Sequence, residues 1–244
     1  MNPPLVRLAS GETLCGDCAW GTQLMARGLP SGDCPERMNL NKPEVLTEVA
    51  GLYLDAGADL ITTNTFGGSP LNLGTHGLDD RTEEINRAAV KALDLVTKDR
   101  AYISASVGPT GKIIEPYGDT ASEVVAEAFT RQIGALIDAG ADLICIETMI
   151  DLREAELAVR AARSLSTDIP LVATMTFDAT PRGFFTTMGT TVEQACKTLV
   201  EAGADVVGSN CGNGIDTMIE IAGDFRKHAS VPVIIQSNAG LPEN

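Results

Sequence analysis

Three short segments of this chain bring acidic, thiol and amide side chains together directly after apolar runs. Asp17 and Cys18 stand in Gly16-Asp17-Cys18-Ala19-Trp20-Gly21-Thr22, Glu147 in Glu147-Thr148-Met149, and Cys211 in Asn210-Cys211-Gly212. A thiolate is both a nucleophile and a metal ligand, and a carboxylate accepts hydrogen bonds from a charged ligand. Four more apolar runs end in polar clusters: Thr63-Asn64-Thr65-Phe66-Gly67, Ser106-Val107-Gly108-Pro109-Thr110-Gly111, Thr176-Phe177-Asp178 and Gln236-Ser237-Asn238. A fold that needed only stability would not concentrate polar residues there. Each residue also has a plainer reading. Asp17 can cap a turn, Asn64 can hydrogen-bond neighbouring loops, and Gly108–Gly111 serves equally as a tight turn or a substrate loop. Trp20 reads as packing, His76 and His228 as surface residues, and Glu154 and Glu156 as the solvated face of a helix. Glu147, immediately after an apolar run, does not read as a surface charge.

The elements that must position these residues are visible in an internal echo. Asp55-Ala56-Gly57-Ala58-Asp59-Leu60 recurs as Asp138-Ala139-Gly140-Ala141-Asp142-Leu143 and as Glu201-Ala202-Gly203-Ala204-Asp205-Val206. The glycine supplies a left-handed residue that stops a helix, and the aspartate opens the turn into a strand. Helices therefore alternate with parallel strands joined by right-handed crossovers. Seven strands are expected: Leu14–Ala19, Leu60–Phe66, Tyr102–Val107, Leu143–Thr148, Leu171–Phe177, Val206–Cys211 and Val233–Ser237. Amphipathic helices are expected over Lys42–Ala56, Thr82–Val96, Glu123–Ala139, Leu152–Leu165, Val192–Ala202 and Asp216–His228. No linker divides residues 1–244, so one α/β domain is expected, a TIM-type (β/α) barrel. Its active site would lie where strands end. An eighth strand has no candidate, since the sequence stops at Gly240-Leu241-Pro242-Glu243-Asn244. A flavodoxin-like open sheet is the competing architecture, but no glycine-rich phosphate fingerprint follows the first strand.

Composition bounds the partners. The 244 residues are 44% hydrophobic and 4% aromatic, an aliphatic balance that suits the layered interior of a parallel barrel. With 18 basic against 33 acidic residues, the net charge of −15 disfavours nucleic acid and anionic membrane surfaces. No segment approaches the roughly 20 apolar residues of a membrane span, and a cytoplasmic protein is expected. Six cysteines without a signal peptide do not suggest a disulfide framework.

The segments GDCAWGTQL, DAGADLITTNTFGGSPLNL, SVGPTGKIIEPYGD, DAGADLICIETMIDLREAELAVRAAR, PLVATMTFD and GADVVGSNCG occur in the order found in the homocysteine S-methyltransferase family. They resemble most the homocysteine module of cobalamin-dependent methionine synthase, and the likeness covers nearly the whole chain. It implies a site for homocysteine or a related thiol, with zinc held by three cysteines and the substrate thiolate in the fourth position. A thiol of pKa ~8.5 is mostly protonated at neutral pH, whereas a zinc-bound thiol is deprotonated. Cys211 matches the first zinc ligand. Asp17 and Glu147 match the carboxylates that hold the substrate ammonium, and the backbone around Cys18 and Ala19 the contacts to its carboxylate. Asn64 joins them as a further substrate-binding candidate.

The departures from the family pattern matter as much. The paired cysteines of the family lie at the end of strand eight, and this chain has no Cys-Cys or Cys-x-x-Cys. Cys18 stands where the family usually has glycine and is a candidate second thiolate, with Cys34 a weaker one. No Asp-x-His-x-x-Gly cobalamin motif is present, so methylcobalamin on a separate corrinoid protein is the expected methyl donor. The implied function is an S-methyltransferase-like module. The alternatives are a metal-free truncated barrel acting as a binding or assembly subunit, or a fragment of a longer methionine synthase. Closure of the barrel by a second copy of the chain, or with seven strands alone, is expected.

Overall fold

A computed structural model describes residues 1–239. Along the chain run α1 (Pro4–Ala9), α2 (Trp20–Ala26), α3 (Met38–Asn41), α4 (Pro43–Asp55), β1 (Leu60–Thr62), α5 (Pro70–Leu73), α6 (Thr82–Thr97) and β2 (Tyr102–Val107). They are followed by α7 (Ser122–Asp138), β3 (Leu143–Met149), α8 (Leu152–Leu165), β4 (Leu171–Met175), β5 (Asp178–Thr180) and β6 (Gly183–Phe185). The last elements are α9 (Val192–Ala202), β7 (Val206–Asn210), α10 (Ile215–His228) and β8 (Val233–Gln236). Six strands form one parallel sheet in the order β1-β2-β3-β4-β7-β8, while β5 and β6 make a separate antiparallel hairpin. The sheet is curled, a TIM-type barrel with a strand missing. Among the described residues no helix is long and apolar enough to cross a membrane.

The period of two along each strand sorts its side chains. On β3, Ile144 and Ile146 join the large core shared with the helices, which includes Leu93, Phe129, Val159 and Leu199. Leu143 and Cys145 point the other way, into a second cluster with Tyr102, Val172 and Val206. That cluster is the barrel floor. Leu5 and Leu8 of α1 pack beneath it and leave an apolar cavity of about 70 Å³. The alternation that buries Leu143 and Cys145 in the barrel sets Glu147 on the same interior face, one layer higher.

The repeated junctions do more than stop helices. Gly57, Gly140 and Gly203 have φ of 95°, 97° and 118°, the left-handed region that glycine tolerates. Each following aspartate then reaches the neighbouring strand: Asp59 accepts from the Cys15 N–H (2.9 Å), Asp142 from Ile103 (2.7 Å) and Asp205 from Leu171 (2.9 Å). The motif thus stitches strand starts together at the floor.

Several expectations need correction. The first strand, expected over Leu14–Ala19, is reduced to a single parallel bridge between Gly16 and Leu60. The Thr62 N–H, which would extend the ladder, instead donates to the Asp17 side chain. The second strand stops at Thr62, and the fifth stops at Met175 before the unforeseen β5–β6 hairpin. Pro4–Ala9, for which no element was expected, form α1. Along its outer edge, β8 pairs with no strand among the described residues. A Cβ on Gly208 would lie 1.8 Å from the Ile234 carbonyl oxygen, so only glycine allows β8 to fold in against β7. Residues Gly240–Asn244, where the chain was expected to run out in the seventh βα loop, lie outside the described residues.

Candidate functional site

Ser106, Glu147 and Asn210 lie near the C-terminal ends of β2, β3 and β7 and meet at the barrel mouth, the last reaching across β4. The Ser106 hydroxyl donates to Glu147 Oε1 at 2.5 Å, and Asn210 Nδ2 donates to Oε2 at 3.2 Å. Glu147 is half-buried, and burial by the surrounding protein pushes its pKa above the ordinary value. The Ser106 bond pulls it back and the Asp17 charge pushes it further. Asp17 and Glu147 therefore share one electrostatic environment. Asp17 accepts three hydrogen bonds, from Trp20 Nε1 (2.7 Å), the Thr62 N–H (2.8 Å) and the Thr62 hydroxyl (2.6 Å). Burial raises its pKa too, against these bonds. Two half-buried carboxylates that raise each other's cost of ionisation favour a cationic ligand, because each resists ionisation until positive charge arrives.

Cys211 sits beside this pair. Its backbone N–H donates to the Gln236 carbonyl (3.1 Å), and its Sγ lies 3.4 Å from Asn210 Nδ2 and 3.8 Å from Thr148 Oγ1. Burial raises the thiol pKa and the Glu147 charge adds to this, while the Thr148 and Asn210 hydrogen bonds oppose both. Cys211 and Thr148 have φ of 59° and 61°. Such backbone costs on the order of 1–3 kcal/mol per residue and is a clear outlier for β-branched threonine. Thr148 is held there by its N–H bond to Asn210 Oδ1 at 2.9 Å.

The remaining candidates are dispersed. Cys18 is exposed, with no partner for its thiol among the described hydrogen bonds. The Ala19 carbonyl accepts from the Tyr53 hydroxyl (2.9 Å), which ties this turn to α4. Asn64 is 6% exposed and donates its amide hydrogens to the Pro35 carbonyl and to Asn39 Oδ1, at 2.7 and 2.8 Å. It binds neighbouring loops together. Cys34 is buried in a small apolar cluster and donates to Glu36 at 3.2 Å. Burial and the Glu36 charge push its pKa up to about 12, which makes it a poor metal ligand.

Zinc needs about three protein ligands besides substrate or water. Among the described residues, no group of three or more His, Cys, Asp or Glu side chains is placed to hold a metal ion. The neighbours of the Cys211 sulfur are an amide and a hydroxyl, not further thiolates. The residues present do not fit a zinc centre by themselves.

Sequence reasoning misplaced some residues and missed others. Glu154, expected on a solvated face, is 3% exposed and accepts from the Thr110 N–H (2.8 Å) and hydroxyl (2.5 Å), anchoring the Gly108–Gly111 loop. Its spacing of four and seven from buried Ala158 and Ala161 puts it on the inner stripe of α8, a signal present in the sequence. Trp20 packs as expected but also orients Asp17. Asn210 and Ser106 were legible only as polar residues near strand ends, and Glu36, which accepts from the Gly67 N–H at 2.6 Å, gave no signal.

Known proteins resemble this chain in sequence or in the arrangement of its elements. A family model described as homocysteine S-methyltransferase matches residues 14–244. The methionine synthases of Mycobacterium tuberculosis and Mycobacterium leprae are each 33% identical over 254 aligned positions, covering 98% of this chain and 21% of the relative. The chain thus spans about a fifth of the length of these curated relatives. The metallated form of the homocysteine methyltransferase MmuM from Escherichia coli superposes with a TM-score of 0.83. It is 21% identical, with 97% of this chain and 88% of that one covered. The apo form of the same protein gives 0.79. At that identity the likeness is one of fold.

Proposed function

The chain belongs to the homocysteine S-methyltransferase family, and from that premise we propose that it binds homocysteine or a closely related thiol amino acid at the barrel mouth for methylation at sulfur. The observation that carries this reading is the pairing of Glu147 with Cys211 through Asn210. The barrel mouth would offer a half-buried carboxylate for an ammonium group and, joined to it by Asn210, a sulfur for the thiol end. Asp17, fixed by Trp20 and Thr62, supplies the second carboxylate, and the turn at Cys18 and Ala19 faces the substrate carboxylate. Methyl transfer forms an S–CH3 bond on the substrate, breaks the bond from methyl to its carrier, and releases the thiol proton. Within this chain the residues orient the amino acid and narrow the sulfur's surroundings. Cys211 would be this chain's contribution to a zinc site completed by ligands outside the described residues.

The methyl donor is proposed to lie outside the chain, as a methylated corrinoid, on the strength of the similarity to methionine synthases. A second copy of the chain is the proposed cover for the outer edge of β8, which pairs with no strand among the described residues. Calorimetric titration with L-homocysteine tests the central reading. Glu147→Ala should weaken binding by about 1.5–3 kcal/mol, the range for a charge-assisted hydrogen bond. Unchanged affinity would show that Glu147 does not hold the ammonium group.

A further inference from the structure

The Asn210 side chain is 2% exposed, and both ends of its amide are engaged. Oδ1 accepts from the Thr148 N–H (2.9 Å) and the Thr174 hydroxyl (2.8 Å). Nδ2 faces three acceptors: Thr148 Oγ1 at 2.8 Å, Glu147 Oε2 at 3.2 Å and Cys211 Sγ at 3.4 Å. The orientation of the amide is not arbitrary. A backbone N–H can only donate and an ionised carboxylate can only accept, so oxygen must face Thr148 N and nitrogen must face Glu147. The amide has two hydrogens for three acceptors. The short bond to Thr148 uses one, and the other is shared between the carboxylate and the sulfur. Having accepted that bond, the Thr148 hydroxyl keeps its own hydrogen for Cys211 Sγ, 3.8 Å away. Donors therefore converge on the sulfur from two sides. The same asparagine holds Thr148 in its left-handed conformation opposite the left-handed Cys211.

The geometry points to Asn210 as a positioning residue that fixes the Glu147 carboxylate and the Cys211 sulfur as one rigid unit, so that the mouth selects thiol amino acids by the distance between amino group and sulfur. This rests on the reading that such an amino acid binds here, with its ammonium at Glu147 and its sulfur toward Cys211. Homocysteine is longer than cysteine by one methylene, and a fixed separation admits one spacing better than the other. A looser pair would bind both alike.

Asn210→Asp tests this. It keeps the shape and the acceptor for Thr148 N–H while removing both donors and adding a charge that repels Glu147. By calorimetry, L-homocysteine affinity should fall at least tenfold, about 1.4 kcal/mol, while L-cysteine affinity changes much less, so the preference collapses. Equal losses for both ligands, or an unchanged ratio, would overturn the inference, since a merely structural role weakens both together. If Asn210→Asp does not fold, Thr148→Gly keeps the φ of 61° at no strain, removes the hydroxyl that meets Asn210 Nδ2 and Cys211 Sγ, and should reduce the same ratio. If the wild-type chain binds neither amino acid, the functional reading fails by itself. The positioning role is then read without ligand, from iodoacetamide alkylation at one fixed pH. Asn210→Asp should change the Cys211 rate several-fold and leave exposed Cys15 and Cys18 unchanged; an unaltered Cys211 rate would overturn it.

Discussion

The floor and the mouth of the barrel are built on the same strands, four residues apart, and obey opposite rules. At the floor Tyr102, Leu143, Val172 and Val206 meet Leu5 and Leu8 of α1 in an apolar layer. At the mouth Ser106, Glu147 and Asn210 continue the same faces with polar atoms that must find partners inside the protein. Burial stabilises the first region. In the second it raises the pKa of Asp17, Glu147 and Cys211, is offset in part by hydrogen bonds, and comes with the further cost of left-handed backbone at Thr148 and Cys211. One strand can thus carry stability at its start and chemistry at its end, because side-chain alternation is indifferent to polarity.

If that division is real, the largest effect on stability lies at the floor. Leu143→Ala should cost about 2–5 kcal/mol in denaturant unfolding, as buried leucine truncations do. Ligand affinity of the folded protein should stay within roughly twofold, since sites more than about 7–10 Å apart are nearly independent. A large loss of affinity would show that the two layers are coupled. Next comes the loop beside the mouth. Glu154→Ala leaves the Thr110 N–H, in a residue 1% exposed, without its carboxylate partner. Stability should fall by about 1–3 kcal/mol, with faster amide exchange at Thr110; unchanged exchange would mean that Glu154 does not anchor the loop.

At the mouth itself the sign reverses. Glu147 has a folded pKa raised above its ordinary 4.5. Above the folded value it is ionised in both states, and only the folded state bears the desolvation cost. As pH falls through the folded value that cost is relieved, and below the unfolded value it is gone. Glu147→Gln should therefore melt at or above the wild type near pH 8, with its advantage shrinking toward about pH 5. A wild-type advantage that grows with pH would refute this account of Glu147. The smallest change is expected at Cys18. In competition with a chromophoric chelator the isolated chain should hold zinc weakly. Cys211→Ser should remove what binding there is, and Cys18→Ser should leave it unaltered. Tight stoichiometric zinc surviving both substitutions would place the ligands elsewhere.

Much of this was legible before any coordinates. The Ala-Gly-Ala-Asp repeats located three helix–strand junctions because a left-handed glycine and a turn-opening aspartate are local requirements. The helices Leu152–Leu165 and Val192–Ala202 match the expected spans because their apolar period is strong. Glu147 stood out because a carboxylate ending an apolar strand has no ordinary surface to occupy. Strand one was overestimated for the complementary reason: a strand exists only through its partners, and here the Asp17 side chain takes the bond that the ladder would have used.

Sequence alone thus determined the alternation of elements, the family, and which residue types crowd the strand ends, since these depend on local periodicity and on motifs read in order. Only the tertiary structure decided how they combine. Glu154 turned inward to a loop 44 positions away, Asn64 bound the loops beside it, and Asn210 reached Glu147 across 63 positions to join it to Cys211. Hydrogen bonds between distant segments depend on where the curled sheet brings strand ends together. No local pattern encodes that closure.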